Sequence, residues 1–195
     1  DPKNPKRYQQ RALFYSDYLK DYDKALNDYS KAIELDPNNP EMWYERGKFI
    51  SIMYRDDDLA LKDFKKALDI DPSHARSINA VGVTYMNKGQ LDLAIKQYEK
   101  GIALIESNTW TAALCYNNRA DLYIQQEKYQ EALADYSKAI ELYPNYADYY
   151  EDRAYLYQNY LQDYNSALID FSEVIKLKPN DPVSWYNRGY FYKYY

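Results

Sequence analysis

Residues that could carry out chemistry are few in this sequence. The chain of 195 residues contains one histidine, His74, and one cysteine, Cys115. Cys115 has no histidine near it in the sequence, and a free cysteine of this kind is more typical of a small packing residue than of a nucleophile. The sequence therefore predicts a polar turn residue at His74 and a packing residue at Cys115.

Asp56, Asp57 and Asp58 resemble a calcium-binding cluster only superficially. They lack the glycine and the closing glutamate of an EF-hand loop, and acidic residues are favoured at the start of any helix. The sequence also contains no glycine-rich phosphate-binding loop and no nucleophile elbow. We therefore predict that the protein is not an enzyme and holds no catalytic residue, metal or cofactor.

The composition favours helices and argues against a nucleic-acid partner. The chain has 26 tyrosines but only 5 glycines, and its net charge of -5 provides no basic surface for nucleic acid. No apolar stretch approaches the length of a membrane span, so no membrane insertion is expected. A single cysteine excludes an internal disulfide and slightly favours a reducing compartment such as the cytoplasm.

A repeated pattern of residue types indicates the helices that must position any binding residues. An aromatic residue, an arginine and a small residue are followed by an alanine, a second ring, another small residue and a proline. Small residues at two fixed positions let two helices approach closely, and the rings fill the space around them. The clearest copies are Tyr44, Arg46, Gly47, Ala60, Phe64, Ala67, Pro72 and Tyr150, Arg153, Ala154, Ala167, Phe171, Val174, Pro179.

This pattern resembles the tetratricopeptide repeat, a helix pair of about 34 residues. The resemblance implies an all-α fold, an α-solenoid of antiparallel helix pairs in a right-handed superhelix, with about five repeats and one extra helix. We call the two helices of a repeat A and B. The single solenoid is expected to span residues 1–195, with repeats at 5–39, 40–74, 75–108 (followed by a short insertion, 109–112), 113–146 and 147–181, and a partial repeat at 182–195.

Proline positions predict where the helices begin and end. Asn4-Pro5, Asn39-Pro40 and Asp181-Pro182 each place a capping side chain before a proline, which is well tolerated at the first helical position. A helix A is therefore predicted to begin at each of these prolines. Prolines also disfavour helix in the preceding residue, so helix B is expected to end before each of Pro37, Pro72, Pro144 and Pro179.

Comparison of the copies predicts an ion pair inside most repeats. Four repeats carry arginine before the small residue of helix A and aspartate before the ring of helix B, whereas the third repeat has Val81 and Gln97. Both members are lost together, which indicates contact between them. The predicted pairs are Arg11–Asp28, Arg46–Asp63, Arg119–Asp135 and Arg153–Asp170.

The resemblance also implies a function: a scaffold that binds proteins or peptides in a concave groove formed by the A helices. The alternative is a segment that regulates or positions an enzyme or transporter encoded in the same polypeptide. One binding mode of the family is a two-carboxylate clamp that grips the acidic C-terminus of a chaperone. This mode is not expected here, because no three consecutive repeats supply the Lys, Asn and Arg residues of the clamp. The implied groove residues are Tyr44, Lys48, Arg76, Asn79, Asn117, Asn118, Asp121, Asp148, Glu151, Asp152, Tyr155, Tyr186, Asn187 and Tyr190.

Charge along these groove positions predicts the class of ligand. The fourth and fifth repeats contribute Asp121, Asp148, Glu151 and Asp152, whereas the first three are nearly balanced. A concave acidic surface attracts cations, so a basic extended peptide is the expected partner.

The two ends of the sequence suggest an excised piece of a longer solenoid. Residues 1–5 match 36–40, and the last helix A has no helix B. We expect five aromatic residues to form an apolar end that associates with a second copy. These residues are Tyr190, Phe191, Tyr192, Tyr194 and Tyr195.

Overall fold

The computed structural model describes residues 3–194, with the side chains of residues 3–192. The described residues form eleven α-helices and no β-strand. The helices are α1 Pro5–Phe14, α2 Tyr22–Leu35, α3 Pro40–Met53, α4 Asp57–Ile70, α5 Ala75–Asn87, α6 Leu91–Ile102, α7 Thr109–Gln125, α8 Tyr129–Leu142, α9 Ala147–Leu156, α10 Tyr164–Leu177 and α11 Pro182–Tyr194.

The helices pack as consecutive pairs. The chain divides after Gln97, within α6, into two compact units. In the first unit α1 packs on α2 and α3 on α4, and α2–α3 and α4–α5 contacts join the pairs. In the second unit α7 packs on α8 and α9 on α10, joined by α8–α9 and α10–α11 contacts. This arrangement confirms the predicted all-α solenoid class.

The predicted capping residues begin the A helices. Asn4 accepts a hydrogen bond from the backbone N–H of Lys6 at 3.0 Å, and Asn39 accepts one from Glu41 at 3.1 Å. Asp181 accepts from the N–H of Ser184 at 3.1 Å. These bonds satisfy amides that have no partner inside the helix. The B helices that precede a proline end two residues before it, at Leu35, Ile70, Leu142 and Leu177.

The turn between helix A and helix B contains a left-handed residue in every repeat. The φ angle is 54° at Lys20, Arg55 and Gln162, 59° at Glu127 and 69° at Gly89. The first, second and fifth repeats each have one residue more than the fourth. In the first and fifth, the extra residue is taken up by a π-helical turn, which widens the end of helix A. These turns are Tyr15–Leu19 and Tyr157–Leu161.

The predicted insertion at residues 109–112 lies at the start of helix α7. Asn108 caps α7 by accepting from the N–H of Thr111 at 3.0 Å, so these residues form the first turn of the helix. Without a proline to fix its start, this helix begins at the capping side chain of Asn108.

Three core clusters combine small residues from two paired helices with a ring and one residue from the next helix A. Between α9 and α10 the cluster contains Ala154, Ala167, Phe171 and, from α11, Phe191. The alanines are fully buried, which allows the helices to approach closely. The corresponding clusters are Ala12, Ala25, Tyr29 and Phe49, and Ala120, Ala132, Tyr136 and Leu156.

Phe191 corrects the expectation of a fully exposed aromatic end. It is 4% exposed, and its ring centroid lies 6.0 Å from that of Phe171. Phe191 occupies the same repeat position as Phe49 and Leu156, which complete the clusters of the first and fourth repeats. The aromatic content of α11 alone does not reveal which way this side chain points. Tyr190 and Tyr192 are exposed by 46% and 65%. The side chain of Tyr194 and all of Tyr195 lie outside the described residues.

The four arginine–aspartate pairs lie in bidentate contact between the two helices of a repeat. In each pair the Nε and Nη2 groups of arginine donate to both carboxylate oxygens at 2.6–2.9 Å. The four aspartates are only 2–6% exposed. The arginines differ: the side chain of Arg11 is 55% exposed and that of Arg46 is 22% exposed.

Candidate functional site

His74 and Cys115, the residues considered for chemistry, lie in surroundings that indicate a structural role. His74 lies between Glu41 and Ser77, with its ring nitrogens 3.1 Å and 2.8 Å from their oxygens. Cys115 is fully buried, and burial raises the pKa of its thiol to about 12, which keeps it protonated at neutral pH.

The aspartate run at the start of α4 also has a structural explanation. Asp56 caps α4, Asp57 accepts from Ser51, and Asp58 pairs with Lys88 at 2.6 Å. Among residues 3–194, no group of three metal-ligating side chains is suitably placed to hold a metal ion.

In the second unit, hydrogen bonds connect implied groove residues on successive A helices. The side-chain amide of Asn117 on α7 donates to Asp152 on α9 at 2.9 Å. The amide of Asn187 on α11 lies 3.0 Å from Glu151 and 2.9 Å from the hydroxyl of Tyr155, both on α9. The structure thus brings these five residues onto one surface, which we call the acidic A-helix surface.

Glu151 and Asp152 belong to this surface, and we include Asp121 and Asp148, which lie close enough to Asp152 to interact with it electrostatically. The four charges are not equally compensated. Asp148 forms an ion pair with Lys178. Asp121 accepts a hydrogen bond from the hydroxyl of Tyr136, and Asp152 and Glu151 accept from the neutral donors described above. Among the described side chains, no cation forms an ion pair with Asp121, Glu151 or Asp152. The hydrogen-bond donors of these three carboxylates are therefore all neutral.

Sequence reasoning missed Lys178 and Tyr136 because it considered only A helices. Tyr136 belongs to helix B, and Lys178 lies in the loop before Pro179. The sequence does distinguish Lys178 from its counterparts. In the other repeats that have the proline, the residue before it is Asp36, Asp71 or Tyr143. Only the fifth repeat carries a cation there.

Burial raises the pKa of two of these carboxylates. It raises the pKa of Asp152 to about 6, against the smaller effect of the hydrogen bond from Asn117. Burial also raises the pKa of Asp121. The side-chain oxygen of Asn117 is buried without a hydrogen-bond partner in the described structure, and a protonated carboxyl at Asp152 would supply a nearby donor.

Asp152 predicts a pH-dependent effect on stability. Its folded-state pKa lies above the unfolded value of about 3.9, so the folded state binds the proton more tightly and stability falls as pH rises through about 6. Asp152→Asn should therefore stabilise the protein at pH 8 by on the order of 1–2 kcal/mol, with little difference below about pH 4. Urea unfolding of both proteins across this range measures the effect. A difference that does not change with pH would contradict it.

Exposed Tyr155 lies beside Glu151, and two further exposed tyrosines lie on α11. Tyr155, Tyr186 and Tyr190 are exposed by 38%, 68% and 46%, and the rings of Tyr186 and Tyr190 are 6.2 Å apart. Another of the implied groove residues, Asn118, lies on α7 and is half-buried. The surface thus combines carboxylates with flat aromatic faces, the two groups that bind guanidinium and ammonium ions.

The groove residues implied for the first unit form a different kind of surface. Tyr44, Lys48 and Asn79 line one pocket of about 160 Å³, together with Ile52 and Val83. Arg76 is not free at this surface, because its guanidinium pairs with Glu41. The pocket is consequently more apolar than the acidic A-helix surface.

Comparison with known families assigns the repeats. Profiles described as a TPR repeat or tetratricopeptide repeat match residues 18–49, 75–108 and 113–146, which together cover just over half of the chain. The chain belongs to the tetratricopeptide repeat family. Protein interaction is the general role of this family, and its repeats are generally non-catalytic. A search of curated proteins gave no significant match.

Two of the solved structures of similar fold are described as TPR proteins. A TPR protein of Thermus thermophilus has a TM-score of 0.72 and 17% identity, covering 96% of this chain and 98% of that chain. PilF of Pseudomonas aeruginosa has a TM-score of 0.71 and 19% identity, with 92% and 79% covered. YrrB, described as a TPR protein with an unusual peptide-binding site, has a TM-score of 0.58 and 20% identity, with 97% and 94% covered. At these identities the similarity shows the fold alone.

Within the described part of this TPR chain, no helix has the length and apolar character needed to cross a membrane.

Proposed function

We propose that this TPR protein binds an extended basic peptide on the acidic A-helix surface of its second unit. The observation that carries the proposal is the group of three carboxylates whose hydrogen-bond donors are neutral: Asp121, Glu151 and Asp152. A lysine or arginine of a ligand would supply the missing positive charge. Such charge-assisted bonds are stronger than the neutral bonds present in the free protein.

Tyr155, Tyr186 and Tyr190 would provide the remaining contacts. Their exposed rings can stack on guanidinium groups or cover the apolar stems of lysine and arginine. Because Asp148 pairs with Lys178, its contribution to binding would be smaller than its formal charge suggests. In the first unit, we assign ligand contacts to Tyr44, Lys48 and Asn79, which share a pocket, whereas Arg76 already pairs with Glu41.

The experiment compares labelled extended peptides of equal length that are rich in arginine, in glutamate or in serine. Fluorescence anisotropy at low salt should show that the arginine-rich peptide binds at least about tenfold more tightly than the glutamate-rich peptide. Binding should weaken as salt is added, because exposed charges are screened over about 10 Å at 0.1 M salt.

Variants locate the binding site. Glu151→Gln should weaken binding of the arginine-rich peptide about three- to tenfold, since it removes a charge without changing the shape of the side chain. Glu131→Gln, on the exposed side of α8, is the matched control and should not change affinity. Tighter binding of the acidic peptide, or equal losses in the two variants, would contradict the proposal.

A further inference from the structure

The side-chain amide of Asn117 has only one of its two polar groups satisfied at the contact with Asp152. Its N–H group donates to a carboxylate oxygen of Asp152 at 2.9 Å. Its own oxygen is buried and has no hydrogen-bond partner among the described residues, and Asn117 as a whole is only 6% exposed. A buried acceptor without a partner is costly, so a donor is expected to reach it in at least one state of the protein.

A carboxyl group can supply that donor only when it carries a proton. An ionised carboxylate has acceptors alone, whereas a protonated carboxyl has one O–H donor and still accepts through its other oxygen. A carboxamide and a protonated carboxyl can therefore form two hydrogen bonds with each other. One of these two bonds is present between Asn117 and Asp152, and a proton on Asp152 would allow the second.

The charged groups with the largest effect on Asp152 are all negative. Asp121 acts on it from α7, and Asp148 and Glu151 act from its own helix, α9. Burial is the largest cause that raises the pKa of Asp152 to about 6, and these three charges raise it further. The other titratable groups near Asp152 are phenols, which are neutral at physiological pH: Tyr136 on α8, Tyr146 before α9, and Tyr149 and Tyr155 on α9.

We propose that a proton bound by the Asn117–Asp152 pair controls the acidic A-helix surface, so that the protonated pair releases a basic peptide and the ionised pair binds it. This control rests on the peptide binding proposed above. With the proton, Asp152 is uncharged and its O–H donates to Asn117. Without it, the carboxylate is negative and can accept from an arginine of the ligand. A nearby cation favours the ionised carboxyl, so peptide binding and proton release are coupled.

The arginine-rich peptide is a suitable probe because its guanidinium charges do not change between pH 5 and pH 7.5. Fluorescence anisotropy at constant ionic strength should show about five- to tenfold weaker binding at pH 5, where a carboxyl with a pKa of about 6 is about 90% protonated. Calorimetry at pH 6 in buffers of different ionisation enthalpy should show the release of up to about half a proton per bound peptide.

Two variants distinguish the pair from the surface as a whole. Asp152→Asn imitates the protonated pair, because its amide is uncharged and can donate to the oxygen of Asn117. At pH 7.5 it should bind the peptide as weakly as the wild type does at pH 5, with less than about a twofold change between the two pH values. Glu151→Gln is the matched control: it removes a neighbouring charge, should weaken binding at both pH values, and should keep at least about a threefold pH dependence. His74, the only histidine, is present in both variants.

NMR tests the pair in the free protein. The side-chain amide signals of Asn117 should shift with a midpoint near pH 6, and this titration should be absent from Asp152→Asn. Equal peptide affinity at pH 5 and pH 7.5, or a wild-type pH dependence in Asp152→Asn, would overturn the proposed control. If no peptide binds at either pH although Asn117 titrates, the proposed function is wrong, and the control of binding with it, whereas the proton-binding pair is confirmed.

Discussion

Arg46→Ala should lower the free energy of unfolding by about 3 kcal/mol, because it leaves the buried carboxylate of Asp63 without its bidentate partner. Asp63 is 3% exposed, so water cannot replace the lost hydrogen bonds. The same variant removes the packing of the guanidinium on Trp43. Urea unfolding followed by circular dichroism measures the loss.

The molecule contains two matched controls for this effect. Arg188 occupies the corresponding position in α11 but has no ion-pair partner among the described residues, so Arg188→Ala should cost less than about 1 kcal/mol. Arg11 has its aspartate, but its side chain is 55% exposed, and Arg11→Ala should give an intermediate loss. A double-mutant cycle should show coupling between Arg46 and Asp63 of at least about 1 kcal/mol. Equal losses for Arg46→Ala and Arg188→Ala, or no coupling, would contradict this explanation.

Gly47→Leu should destabilise the protein by about 3 kcal/mol or prevent folding, because the ring of Phe64 and the backbone of α4 occupy the space next to Gly47. Even Gly47→Ala places a Cβ atom 2.8 Å from that ring, so Phe64 must move. Gly189→Leu is the matched control, since it introduces the same side chain at the same repeat position where nothing lies within 4 Å.

The control substitution should be neutral or slightly stabilising, because leucine favours helix over glycine by up to about 1 kcal/mol. Thermal unfolding of both variants separates steric overpacking from helix propensity. Similar melting temperatures for Gly47→Leu and Gly189→Leu would show that the close approach of α3 and α4 is not the reason for glycine at this position.

Much of the fold could be predicted from the sequence because the repeats contain residues that mark the ends of their helices. Asn4, Asn39 and Asp181 mark helix starts by local hydrogen bonds that depend on a few neighbouring residues. The π-helical turns were not predictable in this way. The sequence shows one extra residue, but whether it widens helix A or lengthens the loop depends on where helix B must begin.

The candidate site was less predictable than the fold. Repeat positions identify which residues lie on A helices, but formal charges do not show how those charges are compensated. Asp148 is paired by Lys178, which lies outside the A helices, and Asp152 is sufficiently buried that its pKa rises to about 6. The direction of Phe191, toward the preceding helix pair, was not predictable for a similar reason. It depends on the neighbouring helices and not on the residue's own segment.

Mapping the bound arginine-rich peptide by NMR tests the central claim most directly. In a titration of the full chain, the largest backbone amide shifts should fall on α7, α9 and α11, centred on Asn117, Glu151 and Asn187. Shifts should be small on the exposed side of α8 and α10. Largest shifts on those B helices, or no shifts at any peptide concentration, would contradict the assignment of the acidic A-helix surface as the peptide-binding site.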